Sequence, residues 1–194
     1  MSKTIVIIVL GALLAAGVYF YTANDKKENA AATHTELEGV QSADPLEEQA
    51  GGVDIGDIAP DFSGPTPDGD TVSLSDVLAK NGKVTIVEFW ASWCPYCRAE
   101  MPNVSNIYKK YHDKGLEIIS VSIDQNKSEW VKGIEEFDMN WAHISNLMEW
   151  DDPVAALYGV TSIPSNFLLN EDGEVIAKGL KGEQLESLVS RLLK

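Results

Sequence analysis

Val84-Thr-Ile-Val-Glu-Phe-Trp-Ala-Ser-Trp-Cys-Pro-Tyr-Cys97 passes from an apolar run directly into a cysteine pair two residues apart. Val84 to Trp90 reads as a buried central strand, broken in its middle by one acid, Glu88. A helix-like stretch follows Cys94. A Cys-x-x-Cys at a strand-to-helix turn places its first sulfur at a helix N-terminus, where unpaired N–H groups and the helix dipole favour a thiolate. Cys94 and Cys97 are the only two cysteines in the chain. A zinc site needs about four ligands, and His34, His112 and His143 are too scattered to complete one. A purely structural disulfide fits badly as well, since closing a four-residue loop stabilises by only about 2 kcal/mol before strain. Redox chemistry is the reading that remains.

The neighbouring residues resemble the thioredoxin superfamily, and within it the TlpA/ResA-like thiol-disulfide oxidoreductases. Phe89-Trp-Ala-Ser-Trp-Cys94-x-x-Cys97 looks like their active-site stretch. Pro102, eight residues after Cys94, lies where thioredoxins kink the active-site helix, and Glu88, six before it, where thioredoxin has a buried acid. Ile163-Pro164 followed by Phe167-Leu-Leu169 looks like the family's cis-proline and the strand after it. Gly56-Asp-Ile-Ala-Pro-Asp-Phe62 looks like the N-terminal extension shared by TlpA-like proteins and peroxiredoxins. The resemblance spans about Ile55 to Lys194.

Two departures matter. The dipeptide between the cysteines, Pro95-Tyr96, is that of glutaredoxins, whereas Trp93, the long extension and Ile163 are not. A peroxiredoxin would carry Thr three residues and Pro seven residues before its cysteine. Here Ala91 and Val87 hold those places, which disfavours peroxidase chemistry.

The resemblance implies an α/β thioredoxin-like three-layer sandwich with an N-terminal extension. It makes Cys94 the nucleophile, Cys97 the resolving thiol and Glu88 the acid–base group between them. It places Trp93, Pro95, Tyr96, Ile163 and Pro164 on the client-binding surface, with Pro164 following a cis peptide bond. No metal or organic cofactor is needed. Client proteins carrying disulfides or thiols are the implied partners, apocytochrome c thiols or general exported proteins among them, together with a membrane electron donor.

The rest of the chain suggests where this domain works. Ile5 to Tyr21 is a 17-residue stretch without charge, preceded by Lys3 and followed by Asn24-Asp-Lys-Lys27. Its length is short for a membrane span and long for a signal-peptide core. Bulky Tyr19, Phe20 and Tyr21 leave no small-residue cleavage site, so residues 1–24 are expected to form an uncleaved single-pass anchor; a cleaved signal and a soluble periplasmic domain is the alternative. Charge does not orient the span, with Lys3 before it and Lys26 and Lys27 after it. The resemblance places the catalytic domain on the periplasmic side of a bacterial inner membrane. Asp25 to Asp54 reads as a flexible acidic tether, with eight acids against two lysines and too little apolar surface to offset ordering entropy. The formal charge of the whole chain, −15, would repel nucleic-acid phosphates.

Within residues 55–194 a coarse pattern emerges. Thr71 to Leu74 alternates as a short strand, and Ser75 is expected to cap a brief helix to Ala79. The active-site helix should run from Cys94 to about His112 and stop before Gly115. Leu116 to Ile123 is a second buried strand. Ser128 is expected to cap a helix that shows Val131, Ile134 and Phe137 on one face, and Asp151 or Asp152 another that begins at Pro153. Phe167–Leu169 and Val175–Ala177 form a hairpin through Asp172-Gly173. Leu185, Leu188, Val189 and Leu192 mark a closing amphipathic helix. Trp130, Trp141 and Trp150 read as core or rim packing ahead of a peptide-binding wall, and His143 as structural.

Two rivals to a client-disulfide reductase stand. One is a disulfide-forming oxidase, which shares the fold and runs the exchange the other way. The other is a non-catalytic copper or thiol-binding chaperone that uses both sulfurs as soft ligands. Copper chaperones of this fold typically use Cys-x-x-x-Cys with a distant His, one residue more than this pair.

Overall fold

The structure, a computed structural model, describes residues 52–80 and 82–194. The expected anchor lies outside them, as does all of the expected tether except Gly52, Val53 and Asp54. Among the described residues no helix is long and apolar enough to cross a membrane.

Among the described residues fourteen elements follow in order: β1 (Ser63–Pro65), β2 (Thr71–Ser73), α1 (Leu74–Leu78), β3 (Val84–Trp90), α2 (Pro95–Tyr111), a 3-10 turn (His112–Lys114), β4 (Leu116–Ser122), α3 (Lys127–Glu136), β5 (Ala142–Ile144), a second 3-10 turn (Glu149–Asp151), α4 (Pro153–Leu157), β6 (Ser165–Asn170), β7 (Val175–Lys178) and α5 (Gly182–Leu192). Five strands make one mixed sheet in the order β5-β4-β3-β6-β7, while β1 and β2 pair separately. β3, β4 and β5 run parallel, and β6 is antiparallel to both β3 and β7.

Every residue of β3 and of β4 is buried. Side chains alternate along a strand, so the sheet must be covered on both faces. One face of β3 carries Ile86, Glu88 and Trp90. There the ring of Trp90 lies so close to α3 that a Cβ on Gly133 would approach it to 2.9 Å. The other face carries Phe89, which meets Tyr158 at 5.5 Å and Phe167 at 6.0 Å between ring centroids. Phe62 of the N-terminal extension packs edge-on against Tyr158, whose hydroxyl donates to the Pro60 carbonyl at 2.8 Å. The same extension bonds to the start of β7 and the turn before it: Gly56 N–H to Val175 O and Ala59 N–H to Gly173 O, each 2.9 Å. It thereby shields part of an otherwise open strand edge.

Several local expectations need correcting. Ser73, not Ser75, caps α1, in a reciprocal capping box with Asp76; Ser75 instead binds Asp61. Asn126, not Ser128, caps α3, because its side-chain oxygen reaches two backbone N–H groups. The buried face of α3 is Trp130 and Gly133, with Val131, Ile134 and Phe137 only half-buried. At the end of α5, Leu192 is exposed and Leu193 takes the buried place. Val53, ahead of the expected domain start at Ile55, is buried and donates to Tyr158 O. The three tryptophans separate: Trp130 is buried, Trp141 is half-buried and donates to Ser120 Oγ at 2.7 Å, and Trp150 is exposed.

Candidate active site

β3 ends at Trp90, and the chain turns through Ala91, Ser92 and Trp93. Cys94 N–H closes that turn on the Ala91 carbonyl at 3.2 Å. Cys94 keeps an extended backbone and caps α2, its sulfur accepting from Cys97 N–H at 3.2 Å. Pro95 fills the first helical position, where its missing N–H costs nothing. One sulfur therefore sits on the N-terminus of a helix of 17 residues, a donor site for negative charge. Pro102 lies inside the same helix, as the sequence places it.

The Ile163–Pro164 peptide bond is cis. The Ile163 carbonyl lies against Cys94, whose thiol donates to it at 3.8 Å. Under that contact Cys94 is only 4% exposed. The exposed groups are its neighbours: Trp93 at 48% and Tyr96 at 78%, with Pro95 also at the surface and Ile163 half-buried. Both cysteines are free thiols in this structure.

Cys97 is fully buried one turn into the helix. Burial pushes its thiol well above the usual range; hydrogen bonding to Cys94 and the charges of Cys94 and Glu88 add to the rise, against a lowering by the Ala91 backbone. Glu88 lies behind the pair on the inner face of β3, also fully buried. Neither carboxylate oxygen has a partner at hydrogen-bond distance. Desolvation pushes its pKa up to about 8, the Asn166 side chain opposing and the charge of Glu100 adding, with Lys181 a further lowering influence. Asn166 is directly opposite Glu88 in the β3–β6 register. Its amide donates one N–H to Leu180 O at 2.8 Å and accepts from Leu180 N–H at 3.1 Å.

Arg98, the cation nearest the pair in sequence, turns away from the sulfurs. It pairs with Glu136 and lies 5.1 Å from the centre of the Phe137 ring. His143 is buried on β5, its Nε2 against the Met139 carbonyl at 3.0 Å, and burial pulls its pKa down to about 4. Asp152, buried, caps α4 and also accepts from Asn146. Among the described residues no group of three or more His, Cys, Asp or Glu side chains converges on a possible metal site.

Sequence reasoning missed Asn166, Asp124 and Lys181. The first two had a usable signal, a polar residue within or just past a buried strand. Lys181 had none, since its closeness to Glu88 depends on the path of the chain after β7.

The whole arrangement can perform dithiol exchange: one sulfur on a helix N-terminus between exposed Trp93 and Tyr96, a second one turn further in, and a buried acid whose pKa burial pushes up to about 8. Comparison with known proteins agrees. Residues 55–178 match the AhpC/TSA family. The thiol-disulfide oxidoreductase ResA of Bacillus thuringiensis subsp. konkukian is 31% identical over 142 residues, covering 73% of this chain and 78% of that protein. ResA of Bacillus subtilis is 30% identical over 134 residues, covering 69% of this chain and 71% of its own. The thioredoxin domain of a thiol-disulfide oxidoreductase from Bacteroides vulgatus superposes with a TM-score of 0.65 at 32% identity, over 73% of this chain and 99% of that one. The chain thus belongs to the AhpC/TSA family and is a ResA-like thiol-disulfide oxidoreductase of thioredoxin fold.

Proposed function

We propose that this protein reduces the disulfides of exported client proteins through Cys94 and Cys97, held outside the cytoplasm by an anchor at Ile5 to Tyr21. The Cys94 thiolate attacks one sulfur of the client disulfide. That S–S bond breaks, the other client sulfur leaves as a thiolate and takes a proton from solvent, and a mixed disulfide forms on Cys94. Cys97 gives its proton to the Glu88 carboxylate and attacks Cys94 Sγ. The Cys94–Cys97 disulfide closes and the first client sulfur leaves as a thiolate. The client gains two electrons and the cysteine pair loses two; a dithiol donor at the membrane returns them. Trp93, Tyr96 and Ile163 present an apolar rim to the client, and the Ile163–Pro164 backbone aligns an extended client segment. Apocytochrome c, which needs reduced thiols, is a client of fitting chemistry.

The observation that carries the direction is electrostatic. A strong oxidase draws its power from a heavily stabilised thiolate in the reduced form. Here Arg98 is engaged with Glu136 and the Ser92 carbonyl, and burial holds both groups behind the first sulfur, Cys97 and Glu88, toward their neutral forms. Equilibration with glutathione buffers tests this. The expected potential is more reducing than about −180 mV, the region of protein disulfide isomerase. A value near about −120 mV, with rapid oxidation of client thiols, would make the protein an oxidase.

A further inference from the structure

Ser92, in the turn that delivers Cys94, has all of its polar groups engaged. Its N–H donates to Asp124 Oδ2 at 3.0 Å and its hydroxyl to Asp124 Oδ1 at 2.7 Å. Its carbonyl accepts from Arg98 Nη1 at 3.4 Å. Asp124 is buried just past the end of β4 and takes a further donor, Ser122 Oγ, at 2.7 Å; its own N–H returns to Ser122 Oγ at 3.1 Å. A carboxylate out of water is costly unless donors satisfy its oxygens, and most of those here come from the one residue Ser92. The turn is already closed by Cys94 N–H on Ala91 O, so secondary structure does not require the clamp.

We infer that Asp124, acting through Ser92, is a positioning residue for the Cys94 sulfur. The inference rests on Cys94 being the nucleophile. During exchange that sulfur changes bonding partner twice, from client to Cys97, and each displacement needs three sulfurs nearly in line. A turn held on its N–H, hydroxyl and carbonyl keeps Cys94 Sγ between Cys97 N–H at 3.2 Å and Ile163 O at 3.8 Å while those partners change. Misplacement by about 1 Å at a reacting centre slows reaction by about 100-fold. Arg98 completes the clamp from the far side, which gives its turn away from the sulfurs a use.

The test compares Asp124→Ala, Asp124→Asn and Ser92→Ala with wild type, and with Asp152→Ala as a buried carboxylate on α4 outside the site. Three readouts are taken on the reduced protein: melting temperature, single-turnover exchange with insulin disulfides, and iodoacetamide labelling with peptide mapping. Asp124→Ala should slow exchange by about 10- to 100-fold while labelling changes by less than about 3-fold, because the clamp sets the line of attack on a disulfide and leaves the cover over the sulfur unchanged. Asp124→Asn and Ser92→Ala, which keep part of the clamp, should fall between. Asp152→Ala should lower the melting temperature and leave exchange alone. Exchange within about 2-fold of wild type in Asp124→Asn and Ser92→Ala, at temperatures where both are folded, would overturn the inference even where Asp124→Ala does not fold. Labelling at Cys97 in place of Cys94 would instead remove the nucleophile assignment itself.

Discussion

Glu88→Gln separates what the buried acid costs the fold from what it does for the reaction. In the folded chain burial pushes the Glu88 pKa up to about 8 from an ordinary value of 4.5. Each unit of difference corresponds to about 1.4 kcal/mol, so full ionisation inside the fold costs about 5 kcal/mol. The sign follows from the raised folded value. Stability from the neutral form is fully present below about pH 4.5 and is lost as pH rises through about 8. Glutamine does not ionise, and its own cost as an unpartnered amide is the same at every pH. The stability of Glu88→Gln relative to wild type should therefore climb by about 4 to 5 kcal/mol between pH 4 and pH 9, whatever its offset at pH 4. For a domain of this size that is a relative gain of roughly 10 °C in melting temperature. Urea denaturation of the reduced proteins across that range measures it. In the same variant, closure of a preformed Cys94 mixed disulfide should slow by about 100-fold at neutral pH and lose the rise toward pH 8 that wild type shows. Parallel stability curves, differing only by a constant, would show that Glu88 titrates as an ordinary surface carboxyl and refute its role as the base for Cys97.

Gly133→Ala should destabilise the domain although alanine is the better helix former, because the new methyl meets the buried Trp90 ring at 2.9 Å; the clash should outweigh the gain of about 1 kcal/mol in propensity. A higher melting temperature in the variant would show that the ring yields. His143 works in the opposite pH direction to Glu88. Its folded pKa is depressed to about 4 from 6.5, so its contribution is present above about pH 6.5 and falls away toward pH 4. His143→Gln should accordingly gain about 3 kcal/mol on wild type over that interval; equal acid sensitivity in urea titrations of the two would contradict the burial argument.

Much of the fold was legible because the informative residues act locally. Val84 to Trp90 announced a central strand through an unbroken apolar pattern, and its bounds agree with β3. Glu88 stood out because an acid in such a run has few reasons to be there. What escaped were choices between equivalent neighbours and contacts made at long range. Ser73 and Ser75, or Asn126 and Ser128, are each able to cap; the structure selects the one whose oxygen reaches the first free N–H groups. The inner face of α3 was misplaced because Gly133 carries no hydrophobic signal, yet it is buried where a rigid indole needs room. Asn166 faces Glu88 only through the β3–β6 register. Asp124 reaches Ser92 across 32 residues, and Ile163 covers Cys94 across 69, separations that no local pattern encodes.

Trapping the covalent intermediate tests the central claim most directly. A Cys97→Ser variant, reduced and mixed with a disulfide-bonded client, keeps the attacking sulfur and loses the one that releases the product. It should accumulate a client-linked species whose bond maps to Cys94 and which dithiothreitol releases, while Cys94→Ser forms none. A stable adduct on Cys97 in Cys94→Ser, or no adduct in Cys97→Ser, would contradict the assignment of Cys94 as the nucleophile and Cys97 as its resolving partner.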